Sequence, residues 1–81
     1  MENWKRTDKS NHPSYSLYEK EIWCKNPKRD MSLVITKEKN SLVWEAEYYF
    51  SRTSTGKWGG YSENEVLIKA LNAIEQKEKQ L

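Results

Sequence analysis

A single cysteine and a single histidine in 81 residues leave little room for several kinds of chemistry. Cys24 has no partner in the chain with which to form an intrachain disulfide, so the sequence is no disulfide scaffold, and a reducing, cytoplasmic setting is expected. His12 and Cys24 together fall short of the three or four ligands a metal site takes. His12 lies beside Pro13 in a polar stretch with no rigid nucleophile near it, so no Ser–His or Cys–His pair is expected. No apolar run exceeds three residues, as in Leu33-Val34-Ile35 or Val66-Leu67-Ile68. A membrane-spanning helix takes roughly 20, and a signal-peptide core about 7–15. Thr55-Gly56-Lys57 lacks the upstream glycine and the following Ser or Thr of a phosphate-binding loop. Glu45 and Glu47 lie about 7 Å apart on one strand face, with nothing to wall off an acid–base pocket. The expectation is a protein that is not an enzyme and carries no cofactor.

Charge of one sign is also scarce. The 14 Lys and Arg against 12 Asp and Glu leave a net charge of +2, too small by itself to imply a nucleic-acid partner. The excess lies in the first two thirds of the chain, densest at Lys25, Lys28 and Arg29. What the sequence does have is aromatic mass. Hydrophobic residues make up only 36% and charged residues 32%, a balance that leans towards disorder. Four Trp, five Tyr and one Phe oppose it, since each ring buries about 150–250 Å². One small domain is expected over residues 15–81, preceded by a disordered polar arm over residues 1–14 whose one large apolar side chain is Trp4.

The pattern along the domain reads as strands followed by a helix. Tyr15–Lys25 supports two readings. A strand at Glu19–Lys25 suits the Asn26-Pro27-Lys28-Arg29 turn that follows, whereas Tyr15, Tyr18 and Ile22 also fit a short helical stripe. Met31–Lys37 and Leu42–Arg52 alternate clearly. Met31, Leu33 and Ile35 fall on one face, as do Leu42, Trp44, Ala46, Tyr48 and Phe50. A two-residue turn at Lys39-Asn40 pairs Ile35 with Trp44 and Leu33 with Ala46, so both apolar sets share a face. Thr53-Ser54-Thr55-Gly56 reads as a second hairpin turn with Gly56 at positive φ, leading into a strand at Lys57–Tyr61. The length of that turn decides which face Trp58 takes, and both remain open. Gly59-Gly60 suits a bulge or the close approach of another backbone. Ser62-Glu63-Asn64-Glu65 is a capping box that opens a helix to Lys79, with Leu67, Ala70, Leu71 and Ile74 as its buried stripe and Val66 and Ala73 flanking. The expected fold is α+β: an antiparallel meander of three to four strands packed on one C-terminal helix.

Three strands followed by a helix resemble two nucleic-acid-binding architectures in element order. One is the double-stranded-RNA-binding domain, if Ser14–Cys24 is its first helix. The other is the three-stranded DNA-reading sheet with a helix, found in plant AP2-type factors and integrase arm-binding domains, to which Thr55-Gly56-Lys57 leading into Ala70-Leu71-Asn72-Ala73-Ile74 is loosely similar. Each resemblance spans about 50 residues. The first implies lysines at the start of the last helix, where this chain has Glu63, Asn64 and Glu65; the second implies Arg and Lys on the sheet, where it has Glu45 and Glu47.

Two functional readings follow. In a meander the first and third turns and the helix C-terminus share an end of the sheet. Lys25, Lys28, Arg29, Arg52, Lys57, Lys77 and Lys79 then form a basic pole. The outer face carries Val43, Glu45, Glu47 and Tyr49, with Trp58 if it turns outward. The preferred reading is a protein-binding module using Glu45, Glu47, Tyr49, Val43 and Trp58 against a larger protein, as a regulator or inhibitor of a host enzyme encoded by a phage or other mobile element. The alternative is a nucleic-acid-binding module using Lys25, Lys28, Arg29, Arg52 and Lys57. A monomer and a homodimer are both compatible with Ile68 lying off the buried helix stripe.

Overall fold

The computed structural model describes residues 4–6, 17–26 and 29–79. The strands are β1 (Lys5–Arg6), β2 (Tyr18–Asn26), β3 (Met31–Glu38), β4 (Trp44–Phe50) and β5 (Thr53–Gly60), and the one helix is α1 (Glu63–Lys79). All neighbours pair antiparallel in the order β1-β2-β3-β4-β5. The fold is the expected α+β meander with one strand more. The addition is β1, two residues within the segment expected as a disordered arm. Lys5 pairs with Lys25 and Arg6 with Cys24, while Trp4 packs against the helix-facing core. The rest of residues 1–14 lies outside the described residues.

β3 is the central strand, and its apolar alternation sets the core. Leu33, Ile35 and Ala46 are completely or almost completely buried under α1. Ile22, Cys24, Met31 and Tyr48 complete the sheet side of the core, and Val66, Ala70 and Ile74 form the helix side. Leu67 and Leu71 are half-buried flanks, so the stripe is rotated towards Val66 relative to the sequence reading. Cys24 is buried as a small hydrophobe.

The β3–β4 register differs from the expected one. Ile35 pairs with Ala46 and Leu33 with Tyr48, a slip of two residues. The reason is the connection. Lys37 and Trp44 are the last pair, and Leu42 and Val43 belong to a loop rather than to the strand. Asn40 takes φ 64° there, Ser41 N–H donates to the Glu38 carbonyl at 3.2 Å, and Val43 N–H donates to Ser41 Oγ at 3.1 Å. An even slip preserves side-chain parity, so the shared apolar face survives.

The second hairpin turn also lies elsewhere. Phe50 pairs with Thr53 across Ser51 and Arg52, which take φ 49° and 68°. Positive φ at both central residues is the pattern of a type I′ turn, which fits the right-handed twist of the strands. Gly56 is inside β5 and no described glycine has positive φ. The register then shifts, with Tyr48 opposite Gly56 and Tyr49 opposite Ser54, leaving Thr55 as the extra residue of a bulge. That bulge turns Trp58 inward, opposite Ala46.

The capping box forms as read, with one change. Glu65 N–H donates to Ser62 Oγ at 3.1 Å. The return bond goes to the Glu65 carboxylate from Tyr61 N–H at 2.7 Å. This bond, the largest influence on the group, holds the Glu65 carboxyl below the usual carboxylate range. The carboxylate passes over Gly60, where a Cβ would lie 2.6 Å from Glu65 Oε2. The close approach anticipated at the glycine pair is therefore made by a side chain. α1 runs back along β5, with Lys69 Nζ donating to the Gly59 carbonyl at 3.0 Å and Lys77 Nζ to that of Thr55 at 3.4 Å.

Candidate functional site

The sheet face away from α1 is built in rows by strand pairing. One row holds Lys25, Ser32, Tyr49 and Ser54; the next holds Trp23, Val34, Glu47 and Lys57; a third holds Glu21, Thr36, Glu45 and Gly59. Glu45, Glu47 and Tyr49 therefore share this face, as the alternation predicts. Val34 lies at its centre and is buried despite facing away from the helix.

The polar groups of this face are organised rather than loose. Both oxygens of Glu47 are engaged: Tyr49 OH donates to Oε1 at 2.8 Å and Ser54 Oγ to Oε2 at 2.6 Å. Partial burial pushes the Glu47 carboxyl up. The bonds from Ser54 and Tyr49 and the charge of Lys57 outweigh it and hold the group below the usual range. Burial, the Glu47 bond and the Glu47 charge together push Tyr49 up to about 12. Trp23 Nε1–H donates to Glu21 Oε1 at 2.9 Å, and Lys57 Nζ lies 3.7 Å from Glu45 Oε1. Because the folded pKa of Tyr49 lies above the unfolded value near 10, its stabilising contribution is complete below pH about 10 and is lost as pH rises towards about 12. In a spectrophotometric titration one tyrosine should ionise near 12, and Glu47→Gln should lower that midpoint part of the way. Tyrosines that all titrate together near 10 would contradict this wiring.

At the end of the sheet formed by the β3–β4 loop, exposed apolar groups collect. Among the described residues the large hydrophobics with exposed surface include Leu17 (73%), Tyr18 (36%), Leu42 (81%), Val43 (49%) and Tyr61 (78%). Lys39 N–H donates to the Leu17 carbonyl at 2.9 Å, which ties the start of β2 to this loop. A second bulge, at Glu19, places Tyr18 opposite Glu38, on the outer face with Thr36. Tyr18 and Val43 then line one groove of about 210 Å³ with Thr36, Glu38, Ser41 and Glu45. Tyr61 follows Gly60, which pairs with Trp44, at the same end of the sheet. The groove lining carries two carboxylates and no cation.

Of the basic residues, Arg29 and Lys77 line one cavity at the opposite end, and the first and third turns adjoin there, Ser51 N–H donating to the Asp30 carbonyl at 3.0 Å. Arg52, in the third turn, belongs to this pole. Lys57 does not; it sits midway along the outer strand β5, opposite Glu47 and beside Glu45. Lys25 lies on the outer face opposite Ser32. Lys28 and the side chain of Lys79 lie outside what is described. Trp58 leaves the outer constellation, because the Thr55 bulge sets it on the helix-facing side against the core. Val43 stays in it, but from a loop. Leu17, Tyr18, Leu42 and Tyr61 are additions that strand periodicity concealed. Among the described residues no group of three or more His, Cys, Asp or Glu is placed to hold a metal ion, and no helix is long and apolar enough to cross a membrane. No protein family, curated protein or solved structure matches this chain.

Proposed function

We propose that the chain is a non-enzymatic protein-binding module whose docking surface is the loop end of the sheet together with the adjoining outer face. The observation that carries this reading is the gathering of Leu17, Tyr18, Leu42 and Val43 beside the acidic groove of Glu38 and Glu45. Contiguous exposed apolar groups rimmed by charge are the usual mark of an interaction surface. The fitting partner is a larger protein presenting apolar side chains flanked by cations, and the role is that of a regulator or inhibitor of such a protein. Glu45 and Glu47 at the centre of the outer face, and the proximity of Glu45 to Lys57, disfavour a phosphate backbone lying there.

The test is retention of a partner from the native cell extract by the wild-type chain and by variants. Leu42→Asp with Val43→Asp should cut retention at least tenfold, and Glu45→Lys should weaken it, while Arg52→Glu at the other pole should leave it unchanged. A nucleic-acid reader would give the reverse pattern, with affinity falling on a log–log salt plot by about 0.9 per phosphate contact. Retention untouched by the loop substitutions overturns the proposal.

A further inference from the structure

The groove at the loop end of the sheet has a lining that suits one kind of side chain. We propose that it receives an arginine of the partner protein, with the guanidinium against Glu38 and the methylene stem between Tyr18 and Val43. This rests on the protein-binding reading above and names what that surface grips. The groove measures about 210 Å³, below the roughly 300–1,000 Å³ usual for small-molecule sites, so a single long side chain is the fitting guest. Its two walls are reachable, since Tyr18 is 36% and Val43 49% exposed. Strand pairing sets the charges. Tyr18 stands opposite Glu38 and Thr36 opposite Glu45, in neighbouring rows of the outer face. The two carboxylates are therefore diagonal neighbours on adjacent strands, about 7–8 Å apart.

Glu38 supplies the principal contact. It is exposed, and among the described residues its carboxylate takes part in no ion pair. Glu45 is already shared, because Lys57 Nζ lies 3.7 Å from its Oε1 in an exposed pair. That separation is longer than a hydrogen bond, and exposed pairs of this kind contribute little. Lys57 is thus an internal competitor for Glu45, weak enough for an incoming cation to share or displace.

Charge complementarity and shape choose the guest together. The groove lining holds two carboxylates and no cation, so the guest is positive. Tyr18 serves through its ring alone, and a guanidinium, weakly hydrated and planar, stacks on such a ring better than an ammonium does. Its five N–H donors in a fixed fork also reach acceptors on two sides at once. The exposed side chains of Leu17 and Leu42 at the same end favour an arginine flanked by apolar residues. A second copy meeting this one groove to groove would bring carboxylates onto carboxylates, so it is not the occupant.

The test is a titration of the full chain with the end-blocked peptide Gly-Leu-Arg-Leu-Gly, followed by amide and methyl NMR. The expected result is saturable one-to-one binding with shifts centred on Tyr18, Glu38 and Val43. The same peptide with citrulline, the neutral isostere of arginine, should bind at least about threefold more weakly, and the lysine peptide should fall between them. Glu38→Gln should weaken binding about threefold to tenfold, whereas Lys57→Gln should tighten it about twofold by freeing Glu45. Both substitutions are at exposed positions, and each variant's fold is checked from its own peptide-free spectrum. Equal binding of the citrulline or lysine peptide overturns the proposal. So do unchanged affinity in Glu38→Gln, no tightening in Lys57→Gln, shifts centred on Phe50 and Arg52, or no saturation at millimolar peptide. Any of these results, combined with loss of partner retention in the Leu42→Asp, Val43→Asp chain, sinks the arginine and leaves the docking surface standing.

Discussion

Leu33→Ala should leave the chain largely unfolded at moderate urea concentrations where the wild type is intact. Leu33 has no exposed surface and sits mid-strand in β3, the central strand, between Cys24 and Tyr48. Removing three side-chain carbons from such a site costs about 2–5 kcal/mol, because transfer energy and the residual cavity add. A core of this size rarely supplies more than about 3–5 kcal/mol of net stability, so one substitution consumes most of it. Urea unfolding followed by circular dichroism should show the midpoint falling by more than half. Val43→Ala, in the exposed loop, should move it by no more than about 0.5 kcal/mol equivalent. A midpoint for Leu33→Ala within error of wild type would refute this account of the core.

Gly56→Ala should destabilise through a different mechanism. A Cβ at position 56 would lie 2.7 Å from Cη2 and 3.0 Å from Cζ2 of the Trp58 indole. The ring is a rigid body, half-buried against the core, so either the indole or the strand must move. Overpacking of this kind costs about 1–3 kcal/mol. The diagnostic result is a double-mutant cycle. In a Trp58→Leu background the cost of Gly56→Ala should fall below about 0.5 kcal/mol, because the clashing ring is gone. An equal cost in both backgrounds would mean that the indole is not what position 56 accommodates.

These two positions also show how far the sequence could be read. Leu33 was legible because period-two alternation over Met31–Lys37 and Trp44–Phe50 admits one buried face, and a register slip of two leaves that face intact. The helix was legible from Ser62 and Glu65 and from its apolar spacing. What parity alone could not show was the effect of single extra residues. Thr55 in β5 turns Trp58 inward and Glu19 in β2 turns Tyr18 outward, and neither residue type announces a bulge. The turn at Ser51-Arg52 was hidden for a related reason. Its positive φ angles are borne by residues that rarely adopt them, while the nearby Gly56 offered a more conventional place to turn. The candidate surface was concealed in the same way. Leu42 and Val43 continue the alternation of β4 so well that the sequence assigns them to the strand. In the fold they stand out in a loop anchored by Ser41, where apolar residues serve no internal packing. That Glu45, Glu47 and Tyr49 share the outer face was legible because they lie within a regular stretch.

The reach of the helix lysines along β5 bears on how the molecule behaves at high concentration. β5 is an outermost strand, and such margins invite a neighbouring chain to zip on and begin a fibril. Here Lys69 and Lys77 lay ammonium groups on the Gly59 and Thr55 carbonyls, and the bulge at Thr55 bends the strand. An incoming strand would have to displace two cations and match a bent template, so this margin is a poor template for polymerisation.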